Sequence, residues 1–150
     1  MVRQRLIREE PPLPSDAVLI RALFDAYPHG GVFDRDVLVT DATYNFEIFG
    51  YYGLSLWLVS ESWPLDRVLA EKCRRAGRVV VFEAEAVQNS GLGLVPSGRE
   101  PHYDAGLGPV YGQSFASLRV TAPTAEELVD GFLSAAYTVR DNEFHDQGQD

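Results

Sequence analysis

Four consecutive apolar residues, Val79-Val80-Val81-Phe82, constrain the fold of this chain more than any other feature. β-Branched and aromatic side chains fit a pleated surface and lose rotamer freedom in a helix. Apolar on both alternating faces, the run predicts a central strand covered from two sides. The alternation continues through Glu83, Ala84, Glu85 and Ala86, so the predicted strand covers 78–87.

The flanking segments set its context. An apolar strand is predicted over 54–60. A helix then starts at Ser62 and Pro64 with Leu65, Val68, Leu69, Cys73 and Ala76 on one stripe, and Gly77 is its left-handed stop. This strand–helix–strand unit over 54–87 implies one βαβ crossover with its two strands parallel. Residues 17–24 fit either a strand or a helix capped by Ser15, and the strand is preferred. A turn over 27–31 leads to a short strand over 37–40. A brief helix capped by Asp41 follows, with Ala42, Phe46 and Phe49 on one face and Gly50 as its stop. Residues 88–113 read as loop and 115–122 as strand. Thr124 to Glu127 forms a capping box for a helix running to about residue 137, with Leu128, Val129, Phe132, Leu133 and Ala136 inward. The expected fold is α+β: a small single domain with a mixed β-sheet, the 54–87 crossover and a C-terminal helix. An extended arm (1–14) precedes the globular part (15–140), and an acidic tail (141–150) is expected to fray.

Length and charge narrow the function classes. A chain of 150 residues can bury a core without metals or disulfides. No apolar run reaches the ~18–20 residues that span a bilayer, and no leader pattern opens the chain. The lone Cys73 fits a reducing, cytoplasmic setting. The net charge of −9 is concentrated late: residues 121–150 hold seven acids against Arg140. Such a surface repels phosphate backbones, which makes nucleic acid a poor partner and a basic protein a better one.

Three groups of residues carry possible chemistry. The 91–112 segment has six glycines and three prolines and gathers Arg99, Glu100, His102, Tyr103 and Asp104. His102 suits general acid–base work, with Asp104 or Glu100 to orient it. The second group is an aromatic run from Tyr44 to Trp63, in which Tyr51 and Tyr52 before Gly53 form the expected exposed pair. The third is the acidic face of Glu126, Glu127 and Asp130. Phosphate-loop, nucleophile-elbow and dinucleotide-fingerprint spacings are absent, and His29, His102 and His145 share no metal-ligand spacing.

Arg21 in the first apolar element, Ser60 and Ser62 at a strand end, and Glu83-Ala-Glu85 stand in a telling order. That order resembles the arginine–serine–glutamate pattern of ADP-ribosyltransferases, although the S-T-S core is absent and the interval from Ser62 to Glu83 is short. The resemblance implies that arginine and serine hold a dinucleotide and that the last glutamate, Glu85, polarises the ribose. A structural pairing of Arg21 with Glu83 or Glu85 accounts for the same residues. Two functions are therefore expected, and a third, a small-molecule binding module with an aromatic pocket, is not separable from the second by sequence. The first is protein–protein recognition of a basic partner through the acidic surface and the Gly/Pro-rich loop. The alternative is a small nucleotide-cofactor-dependent transferase with Arg21, Glu85 and His102 as catalytic candidates and no cofactor specified by the sequence.

Overall fold

The computed structural model describes residues 3, 5–26, 29–107 and 124–146. Among these, β1 (Val18–Phe24), β2 (Leu54–Leu58), β3 (Ala76–Glu83), β4 (Leu92–Val95), β5 (His102–Leu107) and β6 (Thr138–Asp141) form one sheet. Its order is β4-β5-β2-β1-β3-β6, and each neighbouring pair is antiparallel. Four helices accompany it: α1 (Arg35–Phe49), α2 (Leu65–Lys72), α3 (Ala84–Asn89) and α4 (Ala125–Ser134). The fold is α+β with a helix near its C-terminal end.

β2 and β3 both pair antiparallel with β1, so they run parallel to each other, joined through α2. The crossover exists, but β1 lies between its strands. The expected mixed sheet is thus antiparallel throughout the described residues. A strand from upstream occupies the gap, which the 54–87 segment alone has no way to signal.

β3 is covered on both sides, as its apolar run requires. Val80 and Phe82 join Leu19, Leu56, Leu38 and Ala42 of α1 and the buried residues of α3 and α4 in the larger core. Val79 joins Ile20, Ala22, Val68 and Leu69 of α2, and its cap residue Cys73 in the second. Phe82 meets Phe132 at 4.8 Å between ring centroids. Burial of such aromatics supplies much of the energy that holds helix to sheet.

Several predicted boundaries change. The strand over 78–87 stops at Glu83, and 84–89 turns into α3 with Ala84 and Val87 buried at helical spacing. Gly77 lies within β3, and α2 ends four residues earlier, at Cys73. The segment 37–40 is not a strand but part of α1, whose buried residues Leu38, Ala42 and Asn45 recur at helical spacing. Asp34, rather than Asp41, caps that helix: its side chain accepts from Val37 N at 3.0 Å. Gly50 ends it with φ 81°, donating to Phe46 O, as expected. The 17–24 element is a strand, and the Thr124 cap holds, accepting from Glu127 N at 3.0 Å.

The predicted 88–113 loop contains the β4–β5 hairpin. Leu92, Leu94, Tyr103 and Ala105 from its two strands reach the larger core, but Gly93 and Gly106 dilute the strand signal. The predicted 115–122 strand lies outside the described residues, as do 147–150. The tail from 141 to 146 is docked rather than frayed: Asp141 closes β6, Asn142 is buried and Arg74 pairs with Asp146 at 2.7 Å. The N-terminal arm is also tied down, through an Ile7–Ser97 bridge and an Arg8 N–H donating to Pro96 O at 2.8 Å.

Candidate functional site

A cleft opens where the sheet comes apart. The β1–β2 ladder consists of Leu19↔Leu58 and Ile20↔Trp57, after which β1 continues on β3 alone to Phe24. Arg21 is the first residue past the break. Its guanidinium donates through Nη1 to the Ser55 carbonyl at 3.2 Å and through Nη2 to Asp41 of α1. Asp41 also meets His29 Nε2 at 2.8 Å. The cleft has a volume of about 280 Å³ and is lined by Arg5, Arg21, Phe24, Tyr44, Ser55 and Trp57 among others. Burial pulls Arg21 below its ordinary value while Asp41 acts the opposite way, and an arginine keeps its proton in such a balance.

Behind this wall lies a buried polar chain produced by strand register. β2 and β5 pair Ser55 with Asp104 and Trp57 with His102, so all four side chains share one face and Ser55 is diagonal to His102. His102 Nε2 lies 3.0 Å from Ser55 Oγ. Its Nδ1 lies 3.0 Å from the Ser97 carbonyl and 3.2 Å from Ser97 Oγ. Because a carbonyl only accepts, Nδ1 carries the proton and Nε2 accepts from the Ser55 hydroxyl. Ser97 Oγ and Tyr51 OH donate to Asp104 Oδ2 at 2.7 and 2.6 Å. Gly53 permits this convergence, since a Cβ there would meet Tyr51, Asn45 and Asp104 atoms at 3.1, 3.2 and 3.3 Å.

The arm completes the electrostatics. Arg5 Nη1 stands 3.5 Å from Asp104 and Nη2 3.5 Å from His102 Nδ1. Arg8 donates to the carbonyls of Ser97, Gly98 and His102 at 3.0 to 3.1 Å. Burial, with Arg5 and Arg8 adding to it, lowers the His102 value against the opposing pull of Asp104 and the Ser97 carbonyl. The imidazole is therefore neutral at neutral pH. Burial likewise raises the Tyr51 phenol, which keeps it a donor to Asp104.

Of the residues singled out by sequence, Arg21 and His102 meet at Ser55, one through its carbonyl and the other through its hydroxyl. Asp104 and Tyr51 join them, and Tyr51 is buried rather than exposed. Glu85 does not: with Glu83 it lines a separate cleft beside Ser90 and Ser134. The partner of Arg21 is Asp41 rather than Glu83 or Glu85. Tyr103 points to the larger core, and Tyr52 stacks on Phe46 at 4.5 Å. Arg99 and Glu100 are exposed in the turn before β5, and Glu126, Glu127 and Asp130 are exposed on α4, with Asp130 paired to Arg35 at 2.9 Å.

Sequence reasoning missed Arg5, Asp41, Ser55 and Ser97. Ser55 alone had a signal, as the polar residue within Leu54-Ser-Leu-Trp-Leu58. Among the described residues no group of three metal-ligating side chains is assembled, and no helix is long and apolar enough to cross a membrane. Comparison with protein-family models, curated proteins and solved structures found no match to this chain.

Proposed function

We propose that the protein acts on a small molecule bound in the cleft between β1 and β2, a ligand that combines a flat apolar part with an anionic group. The observation that carries this reading is the meeting of Arg21 and His102 at Ser55 in the cleft wall. Phe24, Tyr44 and Trp57 offer apolar and aromatic surface there, and the guanidinium groups of Arg5 and Arg21, which the carboxylates of Asp104 and Asp41 hold in place, are the candidate contacts for the anionic group. Nucleotides and aromatic carboxylates both have this chemistry, so the transferase alternative survives in a form that does without Glu85.

Thermal-shift measurement against nucleotides, dinucleotides and aromatic carboxylates tests it. A ligand at about 100 times its Kd adds ~2.7 kcal/mol, or roughly 5–10 °C in Tm for a chain of this size. Arg5→Gln and Trp57→Leu should each abolish the shift. A shift indifferent to both substitutions would move the site elsewhere.

The exposed pair Glu126 and Glu127 supports a second reading, recognition of a basic protein by α4. Attraction of that kind acts mainly on the association rate and is screened over ~8 Å at physiological salt. The rate should fall several-fold as salt rises from low to physiological, and E126Q/E127Q should flatten the dependence. Salt-independent association would exclude it.

A further inference from the structure

We propose that Ser55 is a nucleophile activated by His102, making the cleft a site of acyl transfer to water from small carboxylic esters. This inference rests on the cleft being the functional site, and it specifies the chemistry performed there.

The Ser97 carbonyl accepts the Nδ1 proton at 3.0 Å, which leaves the Nε2 lone pair facing Ser55 Oγ at 3.0 Å. That is the orientation a general base needs, with a backbone carbonyl as the orienting group and Asp104 behind it through Ser97 Oγ. The two serines differ in the way this role demands: Ser97 is fully buried, whereas Ser55 is half-buried and lines the cleft. A purely structural pair would have no need of a serine on the cleft wall. Arg5 and Arg21 also line the cleft, paired with the carboxylates of Asp104 and Asp41.

In the reaction, Ser55 Oγ bonds to the ester carbonyl carbon as its proton passes to His102 Nε2. The tetrahedral species collapses, the C–O bond breaks, and the alkoxide takes that proton and leaves as an alcohol. Water then attacks the acyl carbon and gives a proton to Nε2. The acyl–Ser55 bond breaks, Ser55 Oγ recovers the proton, and a carboxylic acid departs.

The test uses the full chain with two small neutral probes, a fluorophosphonate and p-nitrophenyl acetate. The fluorophosphonate should leave one adduct, on Ser55 by peptide mass spectrometry, with fluoride as leaving group. Ester turnover should disappear in Ser55→Ala and fall ~100-fold or more in His102→Gln. The wild-type rate should rise with pH as the imidazolium loses its proton. Circular dichroism of Ser55→Ala, a small change at a half-buried strand position, verifies folding should His102→Gln fail to fold. Absence of the adduct, or an adduct unchanged in a folded Ser55→Ala protein, overturns the proposal. The two readings separate cleanly. Ligand-induced stabilisation retained by Ser55→Ala without acylation of the wild type would defeat the nucleophile and leave the binding cleft. Acylation of Ser55 without any anionic ligand would support the nucleophile and defeat the ligand class proposed above.

Discussion

Asn142 Nδ2 lies 2.9 Å from the carbonyl oxygen of Cys73, joining the segment after β6 to the end of α2. The same amide group reaches Leu69 O at 3.3 Å and Ala76 O at 3.1 Å. Carbonyls at a helix C-terminus have no partner within the helix, and a buried one without a donor is costly. Asn142 provides that donor for α2 and, through its Oδ1, accepts from Phe144 N at 3.0 Å. An acidic tail that offers little apolar surface is thus held by hydrogen bonds.

Asn142→Ala is expected to destabilise the protein by about 1–3 kcal/mol, the cost of leaving buried polar groups unpaired. Phe144 is 39% exposed, so Phe144→Ala should cost clearly less. Urea midpoints of the two variants check the order. A larger loss from Phe144→Ala would mean that apolar contact, rather than the amide, anchors the tail.

Phe82 is 1% exposed and touches Phe33, Phe132 and Tyr137, at 6.3, 4.8 and 6.0 Å between centroids. Phe82→Ala should cost about 3–5 kcal/mol, a large part of the stability of a typical domain. Phe46 is 39% exposed, and Phe46→Ala should stay near wild type by comparison. Denaturant titration of both variants decides the matter, and a wild-type midpoint for Phe82→Ala would contradict the central place of β3.

His102 gives stability a pH dependence of definite sign. Its value in the folded protein lies below the ordinary 6.5, chiefly through burial. As pH falls, the unfolded chain takes up this proton before the native protein does. The contribution of His102 is therefore complete above about pH 6.5 and is lost progressively as pH drops from there through the lower native value. In His102→Gln the difference in Tm between pH 7.5 and pH 5 should narrow. An unchanged difference would place the acid sensitivity on other groups.

The local sequence was sufficient wherever one segment contains both the signal and its partner. Val79 to Phe82 predicts a strand covered on both faces because each face is apolar whichever helix covers it. Thr124 caps α4 and Gly50 ends α1 because both interactions close within a single turn. Longer-range geometry decided the rest. Whether Glu85 continued a strand or began α3 depended on where Ala84 and Val87 found a core to enter. Arg21 with Asp41, Ser55 with His102, and Arg5 with Asp104 are separated by 20, 47 and 99 positions in the chain. They meet because β1 parts from β2, because β2 and β5 share one antiparallel register, and because the N-terminal arm folds back onto β5 and α1. No local pattern encodes such a meeting, since side chains on different strands acquire a common face only once the sheet has set their register.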